Sequence, residues 1–386
     1  MGSSSREGRC ACVFLRKKLE MKILHIGNIK TGIDTYVRTT VDAASEEFDF
    51  VVVNGEDDKA APYTRHGKDV KTYNIAMRRS LNPFRDLKAL WQAYGIIKKE
   101  NPDIVHCHSA KGGVIGRYAA FFAHKKSVYT PHAFSFLSSS SRLKSAIYVL
   151  LERLAKLNSC LLACSDSEKA LGMSRIGYKE SNSFAWCNAI KDIPDYISVP
   201  QVKSPYICAV GRPCYQKNTS FMFEAFKKLK QKHPEVSLYL VGAGYHSPSL
   251  AELKEQIKSA GLEDSFFIKP YLPRTEALGY VKGCEFFLST SLYEGLPISV
   301  LEAMALGKAV VASNVTGNSD CVENGVNGLL LPLNADVFAN MMSGLLADKE
   351  KIINFGFASR SAFVARFLID ARIKELESIY RTILKP

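Results

Sequence analysis

The stretch that most constrains the fold runs from Ser289 to Pro332, and within it Glu294-Gly295-Leu296-Pro297-Ile298-Ser299-Val300-Leu301-Glu302. Upstream, Cys284-Glu-Phe-Phe-Leu-Ser-Thr290 reads as a strand. Gly295 then relaxes the backbone, and Pro297 suits the first position of a helix, where a missing N–H costs nothing. Ile298 to Leu306 has helical character and Gly307 stops it. Val310-Val311-Ala312 reads as the next strand. A strand that feeds a helix N-terminus through a loop is where an α/β protein presents free N–H groups and the positive end of the helix dipole to an anion.

Two acids flank that position, Glu294 in the loop and Glu302 about one turn into the helix. Beside an anion alone each would repel it. Beside hydroxyl groups each accepts bonds from a diol, and diol, diphosphate, diol is the layout of a nucleotide diphosphate sugar. Singly, Glu294 would read as a helix-start acid and Glu302 as a solvated one. The whole string, followed by Gly307-Lys-Ala-Val-Val-Ala-Ser313, is what points to a ligand.

The strand–loop–helix opening occurs twice more. Met21-Lys-Ile-Leu-His-Ile-Gly27 leads through a loop containing Gly32 into a helix from Thr35. Tyr206-Ile-Cys-Ala-Val210 leads through Gly211-Arg212-Pro-Cys-Tyr-Gln-Lys217-Asn218 into a helix from Thr219. Arg212 and Lys217 share one loop, so both can reach one diphosphate, Arg as a planar fork and Lys as a point charge. Further strands at Phe50–Asn54, Asp103–His108, Ser127–Thr130, Leu161–Ser165, Ser237–Val241 and Phe266–Ile268 alternate with helical segments, which implies parallel sheets. His132 follows the Ser127–Thr130 strand, a site position in an open α/β sheet. Lys111-Gly112-Gly113-Val-Ile-Gly116 puts glycines where backbone must come close to something. Arg78 and Arg79 could meet a pyrophosphate or a lipid headgroup, or simply be solvated.

At 386 residues the chain is long enough for two domains, and the Pro- and Asp-rich stretch 192–205 is the natural linker. The net charge of +13 is uneven. Residues 1–195 hold 30 Lys and Arg against 20 Asp and Glu, leaving 21 against 18 for the remainder. A basic first half suggests an anionic partner. No helix-turn-helix, stacking platform or Arg-rich arm supports nucleic acid, and an anionic membrane surface is the better expectation. No run of eighteen apolar residues exists to span a bilayer. The Leu143–Leu157 segment has Ile147, Leu150, Leu151 and Leu154 at helical spacing; it is expected to pack on the sheet, with a membrane surface as the second choice. Ten scattered cysteines without a C-x-x-C read as reduced, cytosolic thiols. His106-Cys107-His108 invites a metal reading, but alternation on a strand points Cys107 away from both histidines and no second cluster completes a tetrahedral site. No metal and no cofactor is expected. Residues 1–20, polar and basic with Arg16-Lys17-Lys18 after the apolar residues, make a poor signal peptide and read as a disordered extension.

Glu294–Glu302, with Ala303-Met-Ala-Leu-Gly307 and Val322-Glu-Asn-Gly-Val-Asn-Gly-Leu-Leu330, resembles the retaining family-4 glycosyltransferases of GT-B fold, from about Met21 to the C-terminus. The resemblance implies two doubly wound Rossmann-like domains facing across a cleft. Residues 21–195 would be the acceptor-side domain and 196–365 the nucleotide-sugar domain, with a helix in 366–386 crossing back to the first. It implies donor binding by Gly32, Arg212, Lys217, Glu294, Gly295, Leu296, Pro297, Ile298 and Glu302, and catalytic roles for Glu294, His132, Arg212 and Lys217. Glu302 would hold the ribose diol, Glu294 the sugar hydroxyls, and Tyr271-Leu272-Pro273 would border the base. His132-Ala133 stands where the family often has His-Gly, Thr31-Gly32 where it commonly has Gly-Gly, and Asn188-Ala189-Ile190 resembles its Asn-Gly-Ile. The implied reaction is metal-free, front-face transfer from a nucleotide diphosphate sugar, UDP favoured, to a saccharide or lipid-linked acceptor in cell-surface polysaccharide assembly, in the cytoplasm at the inner membrane face. A nucleotide-sugar epimerase, a phosphorylase and a non-catalytic partner subunit are the rival readings.

Overall fold

The computed structural model describes residues 21–385 except 30–31, 57–60, 79, 81 and 245–246. The expectations for residues 1–20, Thr31 and Arg79 fall outside that set. In the first half, strands and helices alternate as β1 (Met21–Gly27), α1 (Gly32–Ala43), β2 (Phe48–Gly55), a small hairpin β3 (Thr64–Arg65) and β4 (Lys68–Asp69), β5 (Lys71–Ile75), α2 (Pro83–Glu100), β6 (Ile104–His108), α3 (Ala110–Phe122), β7 (Lys126–Thr130), α4 (Arg142–Ala155), β8 (Cys160–Ala163), α5 (Asp166–Leu171) and β9 (Ser183–Ala185). The second half continues with β10 (Tyr206–Val210), α6 (Thr219–Lys230), β11 (Ser237–Ala243), α7 (Leu250–Ser259), β12 (Phe266–Pro270), α8 (Arg274–Gly283), β13 (Phe287–Ser289), α9 (Ile298–Ala305), β14 (Val310–Ser313), α10 (Asn318–Cys321), β15 (Gly328–Leu331), α11 (Ala335–Ala347), α12 (Lys349–Arg366) and α13 (Ile369–Leu384).

Two parallel sheets result, ordered β5-β2-β1-β6-β7-β8-β9 and β12-β11-β10-β13-β14-β15. Each is covered on both faces by helices, so its strands are near-continuous apolar runs such as Phe50-Val-Val-Val and Val310-Val-Ala. The strand order reverses between β1 and β6 in the first sheet and between β10 and β13 in the second. Outside the carboxyl ends at such a reversal a crevice opens for ligand, and the loops after β1, β6, β10 and β13 carry most of the residues singled out above.

The glycines of α3 serve this packing. A Cβ on Gly112 would lie 2.5 Å from Gly27 Cα, and one on Gly116 2.6 Å from Cys107 Sγ. Helix α3 therefore rides directly on β1 and β6, and the close approach is to the sheet. Helix α9 begins one residue later than expected, with Pro297 as its N-cap at φ −74° and ψ 113°. It ends in a Schellman motif, Lys308 N–H to Ala303 O at 2.9 Å and Gly307 N–H to Met304 O at 3.0 Å, with Gly307 at φ +66°.

Helix α4 departs from expectation. Ile147, Leu150, Leu151 and Leu154 face solvent, Leu154 being 58% exposed, whereas Val149, Glu152 and Ala155 are buried. The charge at Glu152 turns inward because Arg117 of α3, itself fully buried, donates to it at 2.8 Å. Tyr129 Oη donates to the other carboxylate oxygen at 2.8 Å, and the guanidinium lies 3.8 Å above the Tyr129 ring.

Helix α13 crosses to the first sheet. Its Ile373, Leu376 and Tyr380 join Ile23, Val37, Phe48 and Val52 in one cluster. The crossing is fastened where Ile190 N–H donates to Phe367 O and Ile369 N–H to Ile190 O, both at 3.0 Å. No described helix is long and apolar enough to cross a membrane. The eight described cysteines are free thiols.

Candidate active site

The β10–α6 loop and the β13–α9 loop meet at Glu294. Its carboxylate takes Lys217 Nζ at 2.6 Å and Ser291 Oγ at 2.7 Å on one oxygen, and Gln216 Nε2 at 3.0 Å on the other. Glu294 is nearly fully buried, so this three-donor arrangement compensates a charge that burial alone would penalise. Lys217, expected at a diphosphate, is here engaged by Glu294. Arg212 makes no hydrogen bond or ion pair among the described residues. The lysine stem lies along Gly211, where a Cβ would sit 3.0 Å from Lys217 Cε. Gln216 and Ser291 were not singled out in the sequence; both lie within three residues of a residue that was.

At the start of α9, the N–H groups of Leu296, Ile298 and Ser299 take no hydrogen bond among the described residues. They are the free donors that the strand–loop–helix order implies. Leu296 O accepts from Asn188 Nδ2 at 2.8 Å, which ties the loop to the first domain. Gly32 opens α1 opposite, where a Cβ would be 3.7 Å from Ile298 Cγ1. Further along α9, Glu302 accepts from Arg274 Nε at 2.8 Å, and burial raises its pKa. Arg274 follows Tyr271-Leu272-Pro273, and Tyr271 is largely exposed. Arg78 pairs with Glu56 at 3.5 Å.

His132-Ala133 closes against this loop from the first domain. A Cβ on Gly295 would stand 2.8 Å from Ala133 N and 2.9 Å from the His132 carbonyl carbon, so glycine is required there. Ser109, His132 and Ala133 adopt positive φ just beyond the carboxyl ends of β6 and β7, and Asn218 does so as the N-cap of α6. Backbone strain of this kind gathers at functional sites. Ala133 at φ +84° carries it without the relief a glycine would give. We therefore expect Ala133→Gly to stabilise the protein by about 1 kcal/mol, read as a raised midpoint in urea unfolding.

Both ring nitrogens of His132 face its own domain, Nε2 at 3.0 Å from His108 Nδ1 and Nδ1 at 3.3 Å from Cys164 Sγ. Burial lowers its pKa to about 3, so the ring is neutral. Glu168 accepts the N–H groups of Ala133 and Cys164, each at 2.7 Å. Burial raises the Glu168 pKa to about 7. Glu168 was not anticipated, since nothing near it in sequence marks its partner.

Alternation on β6 does point Cys107 away from His106 and His108. The sequence shows no second cluster to join His106 and His108, and the fold adds a single histidine, His25. In register, β1 sets His25 beside His106, and the three histidines bring ring nitrogens within 4.8 Å of one another. Apart from His25 Nε2, the nitrogens of these rings have protein partners. His25 Nδ1 meets His108 Nε2 at 2.8 Å, while His106 meets Tyr380 Oη and Thr130 Oγ1, each at 2.8 Å. Two imidazoles on one tetrahedral zinc would hold their nitrogens about 3.3 Å apart, so the 2.8 Å contact is that of a hydrogen bond.

Comparison with known proteins agrees in both halves. Residues 30–192 match the family model for Glycosyltransferase Family 4, and residues 195–361 that for Glycosyl transferases group 1. A UDP-Gal:alpha-D-GlcNAc-diphosphoundecaprenol alpha-1,3-galactosyltransferase of Escherichia coli is 28% identical over 358 residues, 87% of this chain and 89% of that one. Among solved structures, sucrose-phosphate synthase from Thermosynechococcus elongatus superposes with a TM-score of 0.81 at 19% identity, over 94% of this chain and 99% of that one. Anabaena HepE in complex with UDP and glucose superposes with a TM-score of 0.76 at 18% identity, over 94% and 100%. Two facing parallel-sheet domains, each matched by its own half of one enzyme family, leave one assignment: the chain belongs to the family-4 glycosyltransferases of GT-B fold.

Proposed function

We propose that this glycosyltransferase moves a sugar, with retention and without a metal, from a UDP-sugar to a hydroxyl of a lipid-linked saccharide during assembly of O-antigen, capsule or exopolysaccharide. The observation that carries the reading is the Lys217–Glu294 pair beside the unbonded N–H groups of α9. The difficulty of the reaction is departure of the diphosphate as positive charge builds at the anomeric carbon, and fixed donors aimed at the leaving oxygens answer it. Arg212, Lys217 and the N–H groups of Leu296 and Ile298 are those donors. As donor enters, Lys217 exchanges Glu294 for phosphate, and Glu294 turns its freed oxygen to sugar hydroxyls. Glu302 takes the ribose diol, with Arg274 as its resting partner. His132 lines the sugar side from the first domain, and the leaving phosphate takes the acceptor proton. The E. coli relative is named for a UDP-sugar donor and a diphosphoundecaprenol acceptor, and HepE was solved with UDP and glucose, which supports the choice of donor and acceptor class.

An anionic membrane at the cytoplasmic face fits the outer surface of the first domain. Phe84, Leu87 and Trp91 of α2 are exposed, the Trp91 ring stacks on Phe122 at the end of α3 with centroids 6.5 Å apart, and the exposed leucines of α4 continue the patch. Arg85, Lys88, Arg142, Lys144 and Arg153 stand exposed among them. Apolar side chains ringed by cations suit insertion at the headgroup level of an anionic bilayer.

Two measurements test this. Nucleotide release from UDP-, GDP- and ADP-sugars in EDTA, with polyprenyl-diphosphate saccharides as acceptors, should single out a UDP-sugar. No release and no thermal shift with any nucleotide would overturn the reading. In flotation, the protein should rise with phosphatidylglycerol vesicles and not with phosphatidylcholine, and Leu150→Glu with Leu151→Glu should lower the bound fraction at least about 10-fold, since two apolar side chains are replaced by charges repelled by the surface. Equal binding by the double variant would remove α4 from the membrane contact.

A further inference from the structure

Beneath His132 lies a line of side chains that the transfer reaction does not itself use. His25 Nδ1 meets His108 Nε2 at 2.8 Å, His108 Nδ1 meets His132 Nε2 at 3.0 Å, and His132 Nδ1 meets Cys164 Sγ at 3.3 Å. Burial lowers the pKa of all three rings, so each is neutral and carries one N–H. A line of neutral imidazoles has only two self-consistent proton arrangements.

In one arrangement every ring is protonated on Nδ1, and the donors run from His25 to His108 to His132 to the sulfur of Cys164. In the other every ring is protonated on Nε2, and the donors run back from the thiol to His25. The near end of the line decides between them. At the near end, His25 Nε2 is buried with no partner among the described residues. The second arrangement would place an N–H there, and a buried orphan donor is rarer and costlier than an under-used acceptor. At the far end, Cys164 Sγ lies 3.3 Å from His132 Nδ1, and a thiol serves there as acceptor as well as donor, so that end accommodates the first arrangement. The near end therefore selects the first arrangement.

We propose that His25 and His108 are positioning residues that hold His132 in its Nδ1–H tautomer, with its ring turned into the first domain and its main chain set against Gly295. The ring then cannot rotate toward the donor without breaking the line, so the face of His132 that meets the sugar is its backbone side and ring edge. The kinetic consequence rests on the proposed place of His132 at the donor; the tautomer does not.

The test is a two-bond proton–nitrogen correlation spectrum of the apoprotein labelled with nitrogen-15 in its eight histidines, assigned through single His→Gln variants. The two neutral tautomers give distinct patterns. His25, His108 and His132 should all be Nδ1–H in the wild-type protein; an Nε2–H pattern at His108 or His132 overturns the proposal without any variant. His25→Met replaces the donor to His108 Nε2 by a thioether that can only accept, and should invert His108 and His132 to Nε2–H. It should also lower kcat about 10-fold with KM within about 2-fold, in the range seen when outer partners of an oriented histidine are lost. His25→Gln, whose amide can still donate, should keep the wild-type pattern and most of the rate. Unchanged tautomers in His25→Met overturn the relay, and inverted tautomers at full kcat overturn its positioning role. A wild-type protein inactive on every donor would instead count against the proposed reaction, and the spectrum would still decide the tautomers.

Discussion

Glu152→Ala should destabilise the first domain by about 3–5 kcal/mol, because it strands the buried Arg117 guanidinium. The Arg117–Glu152 pair is 2.8 Å long with both side chains essentially inaccessible. Arg117 keeps donors to Gly113 O at 2.8 Å and Tyr178 Oη at 3.2 Å, but neither carries charge at neutral pH. Tyr129 Oη would lose its acceptor too. Equilibrium urea unfolding followed by Trp fluorescence reads the effect, since Trp186 is buried beside the same sheet. Replacing both partners by apolar residues of similar volume, Arg117→Met with Glu152→Leu, should recover most of the loss, because no charge is then stranded. A single variant as stable as the wild type would mean that water reaches this network.

Glu294→Ala should lower turnover by about 100- to 1,000-fold, the range for removing one preorganised polar group from a reacting centre. Two effects combine. The sugar hydroxyls lose their acceptor, and Lys217 loses the 2.6 Å partner that fixes its ammonium before donor arrives. Glu294→Gln separates them. Its amide can still accept from one hydroxyl but no longer holds Lys217 by charge, so it should retain more activity than Ala. Initial rates with saturating donor measure both. Activity of Glu294→Ala within a few-fold of wild type would remove Glu294 from the sugar side of the site. The fold should survive, since Glu294 sits in a loop and its charged partner Lys217 reaches solvent.

The parts of this architecture that are local in sequence were legible there. Strand–loop–helix order is written in the change from apolar runs to helical spacing at Tyr206–Thr219 and at Cys284–Gly307, and it led directly to Arg212, Lys217, Glu294 and the start of α9. What could not be read depends on register or on partners far along the chain. The inward turn of Glu152 is not legible because its partner Arg117 lies 35 residues away. His25 drew no attention until β1 paired with β6. The apolar stripe of α4 was clear, but periodicity does not say whether a stripe is covered. The pairing of Lys217 with Glu294 spans 77 residues, and in the sequence each was matched to a ligand rather than to the other.

The crossing of α13 has a consequence for how the chain is made. Ribosomal synthesis delivers residues 21–185 first, with all seven strands of their sheet, yet one wall of that domain is supplied by Ile373, Leu376 and Tyr380. At about 5–20 residues per second, the nascent first domain waits on the order of 10–40 s with that apolar face uncovered, while the second domain emerges and folds. The domain born first is completed last. A stop codon a few residues early would therefore injure the half of the protein farthest from it in the message, and a chaperone that shields the β1–β2 face during translation would be protecting the seat of the last helix.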